Sequence, residues 1–451
     1  MYENLRQCIK SEYRYEGKIN SAAMTEHLLS QKLLCCCNKQ LRFYNEIEGR
    51  YITLEPQTEW HLLGYFFSDR IRKIVPPSVI NDIIMRLKYM PEIQADINSF
   101  NNHSDLINIK NGVYEVSTGI LHEKNPAFRF TYQLNVSYKK DVSEKDMENF
   151  LMFCRTSLDG NEQKKELLLQ MIGYLCTTLM EAKKCCLLIG EPDSGKSLVL
   201  HLIEYMIGEE YISNISLEHL GDRFASAVLS TKLLNSSAEL SAMPLKNIEM
   251  FKLIVGGDTL NGEYKGKPIF CFKNRCKLLY AGNMLPPIKN EDISTAFINR
   301  LTVLRFTHSI PKKERIHDLE AKLKKETDAI FTCSMEALRR LIEDNYTFAE
   351  PEDSKILLTD YSFQQTNIDI FVKEWCKVGE NLKIHSARLY SAYREFCTEN
   401  AVSAVSQNLF SQKIGSITGV SSGRFRINGS NSARGFYGID LVPYDWQDSE
   451  T

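Results

Sequence analysis

The residues best equipped for chemistry in this chain are Gly190-Glu191-Pro192-Asp193-Ser194-Gly195-Lys196-Ser197, which fit G-x-x-x-x-G-K-[ST], the spacing of a phosphate-binding loop. Gly190 and Gly195 let the backbone bend so that its amides face inward around phosphate oxygens. Lys196 is placed to reach the β- and γ-phosphates and the Ser197 hydroxyl to coordinate Mg²⁺, while a following helix adds its positive end. The flanks agree: the apolar run Cys185–Ile189 precedes the loop as a strand, and an amphipathic helix closed by Gly208 follows. The pattern implies binding of a nucleoside triphosphate. Hydrolysis would need an acid to activate water, a polar sensor and a cation for the developing charge. Each has a candidate at the end of an expected core strand: Glu239 after Leu233–Ala238, Asn283 after Lys277–Gly282, and then Arg300. Alone, each has a plainer reading, as a solvated strand end, a turn residue before Met284-Leu285-Pro286, and a surface charge. Their order behind the loop is what singles them out.

These residues need a scaffold, and the pattern supplies one. Strands are expected at Lys232–Glu239, Lys277–Gly282 and Leu301–Phe306, alternating with helices such as the one near Asn247–Val255. Strands and helices alternating after a phosphate loop imply a mostly parallel sheet flanked by helices. Upstream, residues 1–40 are expected to open helically, with a helix at Pro77–Tyr89. A hairpin follows in which Asn111-Gly112 turns Leu106–Ile109 back into Val113–Val116. Helices are expected from about Val142 to Met180 and over Lys312–Asn345. The acidic, proline-containing stretch Phe348–Asp353 lacks periodicity and is expected to be part of a linker. The expected units are therefore 1–140 (α+β), 141–345 (phosphate-loop domain), 346–365 (linker) and 366–451 (a small C-terminal domain).

Composition narrows the class. Hydrophobic content of 43% and charged content of 25% are ordinary for a soluble globular protein of several domains. No apolar run is long enough for a membrane helix, and Met1-Tyr2-Glu3-Asn4 does not open a signal peptide, so a cytoplasmic protein without membrane contact is expected. The 13 cysteines include the adjacent runs Cys35-Cys36-Cys37 and Cys185-Cys186 but no C-x₂-C pair, which favours buried free thiols over zinc or disulfides. A net charge of −2 means that nucleic acid would have to be held by local patches.

Taken together, these segments resemble the superfamily-3 helicases, in the branch carried by phage, plasmid and poxvirus primase-helicases. Leu220–Ala225 and Lys232–Ser241 match that family's extended Walker B region, and Phe251–Asp258 its Gly-Gly-Asp motif. Tyr280–Pro286 matches its sensor motif and Ala296–Leu301 its arginine motif, while the hairpin Leu106–Leu121 resembles the domain that precedes the ATPase. Two departures stand out. Ala238 occupies the place of the usual aspartate before Glu239, so one carboxylate serves as base, as Mg²⁺ support, or as both. Asn299 occupies the place of the first of two arginines. The resemblance implies an AAA+-like core with ATP and Mg²⁺ as cofactors, and a ring, usually hexameric, with ATP between subunits. Lys196, Ser197, Glu239 and Asn283 would come from one subunit and Arg300 from its neighbour. It further implies a hairpin, Gly262–Pro268, that carries Tyr264, Lys265 and Lys267 to single-stranded DNA in the channel.

From Asn400 to Ile439 the chain has no Asp or Glu, while it has Lys413, Arg424, Arg426 and Arg434. Leu389, Tyr393 and Phe396 are expected in a core, Gln407–Ser416 in a recognition helix, and the strands near Phe425 and Phe436 in a wing. Duplex or origin DNA binding by a winged-helix-like domain is expected, the alternative being a solubilising or partner-docking domain. The resulting expectation is an ATP-driven 3′-to-5′ DNA helicase and replication initiator of a mobile element, in a bacterial host cell. Two alternatives are an initiator ATPase that melts an origin without processive unwinding and the helicase part of a primase-helicase. The second sets the first 150 residues against priming, since their D-x-E, Asp146/Glu148, falls at a helix start and leaves room for a separate primase.

Overall fold

The computed structural model describes residues 14–15, 18–65, 76–240, 247–286, 295–311, 313, 315–400, 404–415, 417–426 and 432–442. A short antiparallel pair, β1 (Arg14–Tyr15) and β2 (Lys18–Ile19), leads into helix α1 (Ser21–Ser30). Asn20 caps that helix by accepting hydrogen bonds from the amides of Ala22 and Ala23. An antiparallel meander follows, β3 (Leu34–Cys37), β4 (Gln40–Asn45) and β5 (Arg50–Thr53), and then helices α2 (Pro56–Tyr65) and α3 (Pro77–Tyr89). Met24 and Leu28 of α1 and Ile83 and Leu87 of α3 close over Leu34, Cys36 and Leu41 on one face of this sheet. Cys35 and Cys37 turn to the other face, against Tyr44, Tyr51 and Phe100. Residues 34–37 are therefore a strand buried on both faces, not part of a helical opening: an unbroken apolar run of four has no period by which to tell the two apart. Residues 1–13 lie outside the described residues.

The expected hairpin forms as β6 (Leu106–Ile109) and β7 (Gly112–Glu115), extended by β8 (Leu121–His122). Gly112 already pairs with Ile109, so the turn is Lys110-Asn111, one residue earlier than expected. Ile107, Ile109, Val113 and Tyr114 join the same apolar cluster as Val199, Ile203 and Met206, so the hairpin shares its core with the phosphate-loop unit.

That unit begins with α4 (Glu148–Ser157) and α5 (Glu162–Leu175), then β9 (Cys185–Gly190), α6 (Lys196–Ile207), β10 (Ile212–Ser213), α7 (Ala225–Leu229) and β11 (Leu234–Ser237). It continues with α8 (Ile248–Gly256), the pair β12 (Thr259–Gly262) and β13 (Phe270–Lys273), β14 (Lys277–Gly282), α9 (Thr295–Ile298), β15 (Leu301–Phe306), α10 (Leu319–Lys325) and α11 (Thr327–Glu343). Five strands form one parallel sheet in the order β10-β11-β14-β9-β15. Cys186 and Leu188 face one helical layer and Cys185, Leu187 and Ile189 the other, which is why the strand reads as a continuous apolar run. Burial pushes the Cys186 thiol up to about 12, so it stays protonated.

The stretch expected as a linker is instead the start of helix α12 (Glu352–Trp375). Pro351 at its N-cap and Glu352 and Asp353 in its first turn are helix-start signals that resemble loop composition. Its first half lays Leu357, Leu358 and Tyr361 on the central core, and its second half supplies Ile368 and Phe371 to a separate C-terminal cluster. One continuous helix thus belongs to two cores. The C-terminal unit comprises β16 (Cys376–His385), α13 (Ser386–Glu399), α14 (Gln407–Gly415), β17 (Ser421–Phe425) and β18 (Ala433–Leu441). Its antiparallel sheet runs in the order β16-β18-β17. Leu389, Tyr393 and Phe396 fill its core, as their spacing predicts. Ser416, the expected end of α14, lies outside the described residues. Among the described residues no helix is long and apolar enough to cross a membrane.

Lys277, at the start of β14, is fully buried and donates to the carbonyls of Tyr174 (3.0 Å) and Thr177 (3.1 Å). Burial pulls its pKa down to about 7. The unfolded chain then holds one proton more than the folded chain between about pH 7 and the ordinary lysine value near 10.5. Folding stability from this group is therefore full above that window and is lost progressively as pH falls from about 10.5 to about 7. The melting temperature of the wild type should climb relative to Lys277→Met between neutral and mildly alkaline pH. Parallel calorimetric profiles would show that the amine does not titrate.

Candidate functional site

The loop between β9 and α6 is shaped by two glycines. A Cβ on Gly190 would sit 1.9 Å from the Phe306 carbonyl oxygen, so only glycine lets the end of β9 lie this close to β15. Gly195 has φ +101°, and its Cβ would meet the Phe153 ring at 2.8 Å and Ser157 Oγ at 3.0 Å. Asp193, at φ +59°, holds the loop from outside: its carbonyl accepts from the Ile310 amide (3.1 Å) and its carboxylate pairs with Arg315 (2.8 Å). The Lys196 ammonium turns back into the loop and donates to the carbonyls of Gly190 (2.7 Å) and Glu191 (2.5 Å). Among the described residues no carboxylate lies within ion-pair distance of it. Burial lowers its pKa, with Glu191 and Asp193 opposing that shift. Ser194 is buried, whereas Glu191, Pro192 and Ser197 are exposed. The loop borders a cleft of about 580 Å³ whose far wall carries His308, Ile310, Arg315 and Leu319. This volume falls inside the range of roughly 300–1,000 Å³ typical of ligand sites.

Sheet order decides what stands beside the loop. β14 is the neighbour of β9, and β11 lies one strand farther out. Asn283 directly follows β14 and Glu239 follows β11, both exposed and both at the carboxyl edge from which the loop rises. The Leu240 amide donates to the Ala281 carbonyl (2.8 Å), which prolongs the ladder and holds Glu239 beside the end of β14. With strands about 4.8 Å apart, Asn283 stands one strand from the loop and Glu239 two. Ala238 is exposed at the same edge and adds no carboxylate. Ser241, the last residue of the Walker B match, lies outside the described residues.

Arg300 differs from the expectation that places it at a strand end. It precedes β15, whose Leu301 pairs with Cys185 at the start of β9, and the Cys185 amide donates to the Arg300 carbonyl (2.7 Å). Since β9 runs six residues before reaching the loop, Arg300 starts roughly 20 Å from the phosphate loop of its own chain, too far for its side chain to span. Strand polarity was legible, but which edge faces the loop follows only from the pairing.

The hairpin between β12 and β13 presents Lys265 and Lys267 at an exposed tip, where Gly266 adopts φ +74°. Tyr264 is committed to holding that hairpin: its ring stacks on Phe270 (centroids 5.5 Å apart) and its hydroxyl donates to the Ala227 carbonyl (3.0 Å). Arg223 braces the hairpin root through two bonds to Glu263 (2.8 and 2.7 Å). In the C-terminal unit, Arg424 and Arg434 are direct cross-strand partners of β17 and β18. Like charges placed opposite one another repel, so the pair favours a nearby anion. Arg426 lies just past β17 and is exposed, and Lys413 lies on α14. Sequence reasoning missed Arg223 and Arg315 because their partners lie far away in the chain and no local spacing marks them.

Three family profiles match the chain. Residues 27–156 match one described as D5 N terminal like, residues 188–300 a family of unknown function (DUF5906), and residues 367–447 one described as Poxvirus D5 protein-like. A candidate helicase of Acanthamoeba polyphaga mimivirus, L207/L206, is 24% identical over 252 residues, or 53% of this chain. The chain spans about a quarter of that relative's length, 26%. The A form apo structure of the NrS-1 C terminal region is 14% identical with a TM-score of 0.48, covering 92% of this chain and 98% of that one. A second apo structure of the same region gives 13% identity and a TM-score of 0.49, covering 94% and 100%. Both likenesses are distant, and the assignment rests on the sequence matches. With D5-type matches on both flanks of the phosphate-loop core, the sequence matches support a primase-helicase family of the phage and poxvirus type, to which the chain is similar.

Proposed function

We propose that this chain is an ATP-driven replicative DNA helicase whose hydrolytic site is completed by a second copy. The observation that supports this best is the separation of Arg300 from the phosphate loop by the length of one parallel strand. A ring, hexameric as in the resemblance, brings the amino edge of one sheet to the carboxyl edge of the next. ATP, with Mg²⁺, supplies the phosphoanhydride and its charge neutralisation. The residues present fit that group: a Cβ would fill the Gly195 cradle, and among the described residues the Lys196 ammonium has carbonyl and hydroxyl partners to exchange. Lys196 would move from those carbonyls to phosphate oxygens, and Ser197 with Glu239 would hold the metal. Asn283 would orient the attacking water, with Glu239 the candidate base. The neighbour's Arg300 would steady the charge that develops on the γ-phosphate.

Lys265 and Lys267 would grip successive phosphates of a single strand in the channel, with Tyr264 as their brace. The C-terminal order of strand, two helices and a two-stranded hairpin suits a winged helix, with α14 and the Arg424/Arg434 wing facing duplex DNA. The 3′-to-5′ direction and the role at the origin of a mobile element follow the resemblance. Ala238 favours a second reading, an initiator that melts DNA without sustained unwinding. A motor's ATP turnover rises with single-stranded DNA, whereas the initiator's does not.

Arg300→Ala should keep nucleotide affinity and lose about 10³-fold in turnover. Mixing Arg300→Ala with Lys196→Ala subunits should restore part of the hydrolysis, because each supplies what the other lacks. Normal turnover in Arg300→Ala alone removes the residue from the site. Lys265→Ala should abolish unwinding of forked DNA while basal hydrolysis stays within about twofold. An unwinding variant would transfer the grip elsewhere. Replacing Arg424 and Arg434 together by alanine should reduce the salt slope of duplex binding by about 2. An unchanged slope would leave the domain as a docking module.

A further inference from the structure

A second cavity, of about 290 Å³, lies where the N-terminal sheet meets the central unit. Among the described residues five cations line it, Arg42 and Arg50 from β4 and β5, and Lys232, Lys273 and Arg275 from the opposite wall, with Glu210 the one carboxylate. Arg50 is neutralised by Glu48 (2.5 Å) and Glu210 (3.0 Å). Among the described residues the other four have no carboxylate within 4.0 Å. Lys232 donates to the Glu210 carbonyl (2.7 Å) and Arg275 to Asn102 Oδ1 (3.0 Å). The Arg42 guanidinium lies 4.3 Å from the Phe100 ring centroid, and its buried Nε has no hydrogen-bond partner. Four cations without an ion pair around one hollow repel each other in a chain whose net charge is −2, and an anion would relieve that repulsion.

The cavity is not the phosphate loop's cleft. Leu233 and Arg275, which line it, come just before β11 and β14, so it opens at the amino edge of the sheet, roughly 20 Å of strand from the loop. Its rim is tied to the DNA-gripping hairpin: Lys273 ends β13, and its amide donates to Asn98 Oδ1 (2.8 Å) across the two units. At this volume it suits one nucleotide unit and is too small for a duplex, whose major groove alone is about 12 Å wide.

We propose that this cavity binds the phosphate of a single nucleotide unit, at a second site separate from the phosphate loop, through Arg42, Lys273 and Arg275. A free nucleotide and one residue of a single strand present the same chemistry. The site stands whether or not the phosphate loop hydrolyses ATP.

The test uses the full chain carrying Lys196→Ala and Lys265→Ala, which disable the loop and the hairpin tip. Fluorescent deoxyadenosine monophosphate and a short labelled oligothymidylate are titrated separately by anisotropy. At least one should bind, and Arg42→Gln and Lys273→Gln should each weaken it about tenfold or more. Binding of the mononucleotide identifies a free nucleotide as sufficient, and binding of the oligonucleotide alone identifies a strand. If Arg42→Gln lowers the melting temperature, Lys273→Gln decides, because its exposed side chain supports no packing. Absence of binding by both probes, or binding indifferent to Lys273→Gln, overturns the proposal.

Discussion

Six consecutive residue pairs join β15 to β9, from Leu301 opposite Cys185 to Phe306 opposite Gly190, and the placement of both the phosphate loop and Arg300 depends on that ladder. Parallel pairing gives the sheet two unlike edges. At the carboxyl edge it brings the Phe306 carbonyl so close to Gly190 that the loop must start with glycine. At the amino edge it anchors Arg300 through the Cys185 amide. A register shift of one residue would turn each side chain to the opposite face and displace both ends at once. The ladder therefore couples loop shape to arginine position within a single chain, while keeping the two apart.

A second set of contacts connects the cleft to the C-terminal unit. Lys164 is buried between the carboxylates of Asp159 (2.9 Å) and Asp353 (2.8 Å). Asp159 also takes Thr307 and His308 (both 2.6 Å), which directly follow β15, and His308 lines the cleft. Asp353 opens α12, the helix that belongs to both the central and the C-terminal cores. A buried cation with two carboxylates is costly to break, since removing one partner leaves a charge uncompensated. The cleft wall is thereby tied to the start of α12 through charged contacts.

Elements bounded by sharp polar breaks were legible from the chain alone. Lys277–Gly282 and Leu301–Phe306 form with the expected bounds because each is an apolar run between turn residues. The glycine-bounded loop between β9 and α6 was legible because its geometry makes fixed demands at fixed offsets. Residues 34–37 and 346–365 were not, for opposite reasons. Leu34–Cys37 is apolar throughout and has no period, while Pro351-Glu352-Asp353 has loop-like composition but is a helix start. Tyr264 shows a subtler limit: its type suits base stacking, yet Phe270 and Ala227 already occupy its ring face and hydroxyl.

Local spacing thus singled out the residues proposed for a triphosphate site, because cradle, lysine and hydroxyl are neighbours in the chain and their proposed roles depend on backbone conformation. It also separated an acid-free C-terminal stretch from the rest. Tertiary structure alone decided which edge of the sheet each candidate occupies, since strand order is a property of long-range pairing. It also brought together the distant partners Asp193 and Arg315, and Arg223 and Glu263, and gathered five cations from both units around one cavity. Electrostatic partnership depends on distance in space, and a linear chain does not record that distance.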